Sequence, residues 1–209
     1  MTRAGQERTR TRSGGRSAEV RRAVGEATLD LLARGRVDFT MVEVAEAAGV
    51  GRRTLYRWWP TQTDLLIEAL DRHVQQVPTA TPTGDWPADL RALAHALAAF
   101  AADPVELAIA TIMAGRRHPE FNALVVRGWE PATTSWHALY DRAVAAGQAA
   151  PGHDPETVFN TLLGPVFLGP LMLGAPIAPD QVDRVVDLVL AATAAPPATA
   201  SARATRPEV

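Results

Sequence analysis

The chain contains no cysteine and no lysine among its 209 residues. Without thiols there is no disulfide framework, no cysteine nucleophile and no zinc site built on thiolates, a composition that suits a reducing compartment. Without lysine there is no P-loop and no Schiff-base chemistry. The patterns H-E-x-x-H, E-x-x-H and G-x-S-x-G are missing as well, and Gly49-Val50-Gly51 only begins a dinucleotide-type motif with no strand before it. No catalytic residue, metal or cofactor is therefore expected. The opening MTRAGQERTRTRSGGR is polar and basic with no apolar core behind it, unlike a secretory signal. Period-two alternation bounded by turns is also lacking, which argues against a sheet.

What is present can build a core: 47% of residues are hydrophobic and 21% charged, a balance that excludes wholesale disorder. The net charge of −2 conceals a division. Residues 1–60 hold twelve arginines against seven acids, whereas residues 61–209 hold nine arginines against sixteen acids. A basic end on an acidic body suggests a polyanion at one end and a different partner at the other.

The periodicity predicts an all-α chain of nine or ten helices. Residues 1–16 read as a basic arm without periodicity. Its arginines 3, 8, 10, 12 and 16 suit a minor groove or phosphates, or are a solvated tail. From an N-cap at Ser17, the residues Val20, Val24, Ala27, Leu31 and Leu32 recur at helical spacing until Gly35. Thr40 and Glu43 form a capping box for a short helix, Met41 to Ala48, that stops at Gly49. A second short helix spans Gly51 to Trp58, and Thr61 with Asp64 caps a fourth carrying Leu65, Leu66, Ala69, Leu70 and Val74. The Pro-rich stretch 78–87 is the expected linker between an N-terminal unit, 17–77, and a helical C-terminal unit, 88–194, with 195–209 as a disordered tail.

Two short helices joined at a glycine make a helix-turn-helix, whose second helix enters a major groove. At ~100° per residue, with Leu55 facing the core, Trp59 lies ~40° away and Arg53 and Arg57 each ~160° away. Thr54 and Tyr56 then flank the outer face at ~100°, and Arg52 and Trp58 sit at ~60° on opposite sides. Arginine can contact guanine O6 and N7 bidentately and threonine offers a methyl to thymine, while tyrosine and further arginines can hold phosphates.

The segment Thr40 to Leu66 resembles the DNA-binding segment of the TetR family of one-component repressors. The likeness rests on Ala45-Glu46-Ala47-Ala48-Gly49-Val50, then Thr54-Leu55-Tyr56, then Trp58-Trp59-Pro60 at fixed offsets, and it covers residues ~17–75. The resemblance implies that Arg52, Arg53 and Thr54 read bases and that Thr40, Tyr56, Arg57 and Trp58 hold phosphates, with Gln62 beside them at the N-terminus of the fourth helix. Gly51 stands where many members have serine, and Thr61-Gln62 where a Ser-Lys pair is common.

The second half contains PETVFNTLLGPVFLGPLMLGAPIA, without charge from Thr157 to Pro179. A membrane span is possible at that length. Its prolines and glycines, with acidic flanks and no basic anchor, argue instead for burial between two subunits. The family resemblance implies a two-fold dimer through late helices, assigned here to Pro131–Ala146 and Pro155–Leu173, ahead of a final helix Asp180–Ala192. Val158, Leu162, Val166, Phe167 and Leu171 are the expected interface. It also implies a cavity for a small, largely apolar ligand, so that residues 17–77 would be a DNA-binding unit and residues 88–194 a ligand-binding and dimerisation unit. Candidate wall residues are Leu93, Leu97, Phe100, Ile109, Met113, Phe121, Trp129, Trp136, His137 and Tyr140, with His95 a further polar group. The expected protein is a cytoplasmic, homodimeric repressor that leaves a double-stranded DNA operator when ligand binds. The alternatives are a ligand-independent DNA-binding regulator and a small-molecule-binding helical enzyme.

Overall fold

A computed structural model describes residues 4–70, 73 and 76–195, the first thirteen of these by backbone alone. The described residues form helices and connecting turns: α1 Ala4–Ala33, α2 Met41–Ala47, α3 Arg52–Trp58, α4 Gln62–Leu70, α5 Trp86–Ala101, α6 Pro104–Gly115, α7 Pro119–Ala145, α8 Pro155–Leu168 and α9 Pro179–Ala192. A π-helical turn, Gly169–Leu173, continues α8. The disordered tail expected at the C-terminus lies, from residue 196 on, outside the described residues, as does Val74.

Local chemistry accounts for most of the helix starts. Thr40 and Glu43 close the capping box of α2, the threonine hydroxyl accepting from the Glu43 amide at 3.3 Å and the Glu43 carboxylate accepting from the Thr40 amide at 2.7 Å. Thr61 and Asp64 repeat the arrangement at α4. Asp85, Asp103 and Asp154 cap α5, α6 and α8, each followed by a proline in the first turn. Gly49 ends α2 with φ of 63°, a left-handed conformation that costs a non-glycine residue about 1–2 kcal/mol.

Three expectations are corrected here. Residues 4–16 are helical and continuous with α1, so Ser17 is no cap and the arm reading does not hold for their backbone. The helix-forming residues Ala4, Gln6, Glu7 and four arginines outweigh the Gly14-Gly15 pair, and a helix already nucleated further along propagates cheaply. Pro131 does not begin a helix but sits inside α7, and Pro165 sits inside α8. Pro131 forfeits one hydrogen bond, to the carbonyl of Arg127, a residue on the exposed face where water can replace it. The linker, finally, is strapped down: the buried Asp89 carboxylate accepts from the amides of Thr83 and Gly84, Trp136 Nε1 donates to the Pro78 carbonyl, and the Ala80 amide donates to Ser135.

Two apolar cores result, and the linker does not separate them. The first combines Leu32, Phe39, Val44, Leu55, Trp59 and Leu66 of the N-terminal helices with Ile109 and Ile112 of α6 and Phe121 and Val125 of α7. The second joins α5, the later half of α7, α8 and α9 around Leu97, Trp136, Tyr140, Phe159 and Val186. Trp129 packs against both. Pro155–Leu173 is long and apolar enough to cross a membrane by length and composition, yet its inner face lies in the second core. Leu162 is 0% exposed there, so Leu162→Ala should cost about 2–5 kcal/mol in urea-induced unfolding. A loss well below that range would contradict the packing.

Candidate nucleic-acid interface and effector cavity

The roll of α3 follows from its two buried residues. Leu55 and Trp59 are sealed into the first core, and Gly49 redirects the chain between α2 and α3 through hydrogen bonds from its own amide to Glu46 and from the Val50 amide to Ala45. Arg52, Arg53, Tyr56 and Arg57 are consequently exposed, with Thr54 and Trp58 half-buried at the margins. Arg52 is held to Glu46 at 3.0 Å in the open. Arg53 and Arg57 form no ion pair among the described residues, leaving their guanidinium groups available to an anion. Arg21 of α1 stacks over Trp58, 5.0 Å from its ring centre, and fixes that indole beside the reading face.

Two of the expected contacts are engaged internally. The Thr40 hydroxyl is occupied by the capping box, and Arg36 adds a 2.8 Å pair to the same Glu43. The Gln62 side chain donates to the Phe39 carbonyl at 2.9 Å, tying the start of α4 to the residue before the α2 cap. Both groups tie the helix-turn-helix together, and Tyr56 and the arginines of α3 are the side chains left facing outward.

A cavity of about 690 Å³ opens between α6, α7 and α8. Of the expected wall residues, Met113, Trp129 and Ile109 line it. The others do not. Leu93, Leu97 and Phe121 are packed in the cores. Trp136 and Tyr140 are buried too, with their polar atoms satisfied by the Pro78 and Ala150 carbonyls. Phe100 lies against Trp129 and His73 instead, and His137 against Phe159. His95 is drawn 2.9 Å from Asp183 of α9, where it and Arg91 hold that carboxylate's pKa below the usual range. Phe167, expected at the dimer interface, lines the cavity.

The interface assignment needs the larger correction. Val158, Leu162 and Val166 are 7%, 0% and 0% exposed within one subunit, so they face its own core and cannot meet a partner. An unbroken apolar helix gives no polar side from which to orient it. The apolar residues left uncovered are Leu168, Leu171, Met172, Leu173 and, on α9, Leu188. Gly169 makes that turn possible, since a Cβ there would meet the Ala175 carbonyl at 3.1 Å.

The sequence gives no hint of one polar group in the cavity. Glu106 is buried in the wall, and its Oε1 lies 2.6 Å from Nε2 of the likewise buried His73. Burial pushes the Glu106 carboxyl above its ordinary pKa, opposed by His73 and reinforced by Asp103. In sequence a glutamate in a helix's first turn reads as an exposed partner of the helix dipole.

Comparison with known proteins decides the family. Residues 26–69 match the model of bacterial regulatory proteins of the tetR family, and residues 80–189 match the tetracyclin repressor-like C-terminal domain. The chain belongs to the TetR family. It is a DNA-binding transcriptional regulator of the helix-turn-helix type. It is similar to the HTH-type transcriptional regulator AqdR of Rhodococcus erythropolis, 29% identical over 177 residues that cover 84% of this chain and 86% of that one. The HTH-type transcriptional repressor LfrR of Mycolicibacterium smegmatis is 43% identical over 68 residues, 32% of this chain and 34% of its own. A TetR transcriptional regulator from Agrobacterium tumefaciens shares the fold with a TM-score of 0.70 at 20% identity, over 84% of this chain and 94% of that one. TetR-family regulators bind DNA operators and act as dimers.

The α2 capping box carries a testable pH dependence. The Thr40 amide and hydroxyl, then Arg36, hold Glu43 below its ordinary pKa of 4.5, so the stability this box supplies is present above 4.5 and is lost as pH falls through the lower folded value. Thr40→Ala should therefore lower Tm at neutral pH, and the deficit should shrink on acidification below 4.5. A deficit that stays constant would mean the box is not formed.

Proposed function

We propose that the protein is a homodimeric repressor that reads a two-fold operator with α3 and is released from it by a small, largely apolar ligand. The observation that carries the reading is the uncompensated, outward Arg53 and Arg57 pair on a helix whose roll is locked by Leu55 and Trp59. Arg52, Arg53 and Thr54 contact base edges in this reading, and Tyr56, Arg57 and Trp58 hold phosphates. The uncovered Leu168, Leu171, Met172, Leu173 and Leu188 supply the dimer contact, since an exposed apolar patch of this kind is suited to a partner surface. The protein would act in the cytoplasm, and no step of the reading needs catalysis.

Ligand control is supported by the cavity and by how α4 is held. Thr63 in the first turn of α4 contacts His118 Nδ1 at 3.0 Å, just before α7, and His73 beyond α4 contacts Glu106 in the cavity wall. A ligand that shifts α6 or α7 moves α4, and with it the Gln62 tie to Phe39 and the seat of α3. Release then follows from the ligand's preference for the conformation with poor spacing between reading heads.

Arg53→Ala should weaken binding to a duplex selected from a random pool by about 1–3 kcal/mol and relax the preference at one position, measured by fluorescence anisotropy. Unchanged affinity would remove α3 from the groove. Leu188→Arg should give monomers in sedimentation velocity and lose operator affinity, because it sets a charge into the uncovered α9 face. Wild-type protein that sediments as a monomer at micromolar concentration would contradict the dimer.

A further inference from the structure

One histidine and two acids, His73, Asp89 and Glu106, are buried among the described residues. Asp89 is consumed by the strap before α5, where the Thr83 amide and hydroxyl and the Gly84 amide all donate to it. Glu106 is different. Its Oε1 meets Nε2 of the likewise buried His73 at 2.6 Å, and no further donor reaches the carboxylate among the described residues. The carboxylate opens onto a cavity whose wall is mainly apolar, with Ile109, Met113, Val125 and Leu163, and which also carries the uncharged polar Thr133 and Asn160. Trp129 and Phe167 stand beside it with ring centres 5.6 Å apart. Arg127 and Glu130, of opposite sign, lie exposed at the rim and offset each other.

We infer that this cavity takes an aromatic ligand bearing a protonated amine, with the ammonium on the Glu106 carboxylate and the ring system against Trp129 and Phe167. The inference rests on the ligand-responsive reading above and names the class of ligand for that site. A buried carboxylate without a full set of donors destabilises the empty state, and an incoming N–H cation offsets that cost. His73 faces Glu106 from beyond α4, and Asp103, the N-cap of α6, precedes it, so one imidazole and one further acid are its titratable neighbours. An anionic ligand would be repelled by the Glu106 carboxylate, and a neutral one could donate a hydrogen bond to it but bring no opposite charge. The two rings add the negative faces that attract a cation. A volume of about 690 Å³ accommodates a molecule of several fused rings.

The test uses three probes of one shape: 1-pyrenemethylamine, 1-pyrenemethanol and 1-pyrenecarboxylate, titrated at neutral pH against the full chain with tryptophan and pyrene fluorescence as readouts. The amine should bind about ten- to a hundredfold more tightly than the alcohol, with the carboxylate weakest. Glu106→Gln should bring the amine down to the alcohol's affinity and leave the alcohol where it was. Met113→Trp, which fills the cavity, should weaken all three. Equal binding of amine and alcohol by the wild type, or preference for the carboxylate, overturns the proposed charge class while leaving a ligand cavity in place, and needs no variant to fold. Binding that Met113→Trp leaves untouched overturns the location. Failure of all three to bind would overturn the ligand-responsive reading together with the amine.

Discussion

The burial of Leu55 and Trp59 decides everything that α3 can do. A seven-residue helix has little stability of its own, so its orientation is set by tertiary contacts rather than by propensity. With those two side chains sealed in the first core, Arg53 and Arg57 point to the opposite side, with no choice of rotation left. Gly51 supplies no side-chain cap to α3, so the start of the helix relies on the same burial and on the Schellman-like turn at Gly49. The Arg52–Glu46 pair is exposed and contributes little by itself.

That dependence extends into the second half of the chain because the first core is not closed by the N-terminal helices alone. Ala108, Ile109 and Ile112 of α6 and Phe121 and Val125 of α7 complete it. The reading head therefore sits on the same helices that wall the cavity. Ile109 and Val125 belong to both, buried in the core and lining the cavity at once. Side chains packed at crystal-like density do not yield independently, so a displacement of α6 at the cavity is felt at α4. The linker contributes to this stiffness, since its backbone is bound to Asp89, Ser135 and Trp136.

Legibility in the sequence followed the range of the interactions. The helix-turn-helix depends on residues within about one helical turn of each other, and both its capping boxes, its turn glycine and its inward and outward faces were readable from spacing alone. The helix starts at Asp85, Asp103 and Asp154 are equally local, each an acid with a proline within the next two residues. Faces of α8 were not readable in that way. When Val158, Leu162, Val166, Phe167 and Leu171 are all apolar, periodicity carries no sign, and only the placement of α5, α7 and α9 separates core from uncovered surface. Trp136 and Tyr140 were misread as cavity walls because their polar partners, Pro78 and Ala150, come from loops. Residues 4–16 were misread in the other direction: their composition resembles a tail, and continuity with a packed helix outweighs it.

Glu106 shows where such reading ends and a physical account of the structure begins. Its neighbours in sequence are ordinary for a first helical turn, and the negative charge there suits the helix dipole. What makes it unusual is the arrival of α4, α7 and α8 from elsewhere in the chain, which removes water from one side and places aromatic rings on the other. A carboxylate in that position is costly to keep unless something else uses it. The asymmetry with Asp89 is informative, because the chain gives that buried acid three donors and gives this one His73 alone, beside an open volume. Stability alone would favour an apolar residue of similar size at position 106. The charge between the cavity and His73, which follows α4, is the cost on which the proposed recognition rests, at the contact that joins α6 to the chain beyond α4.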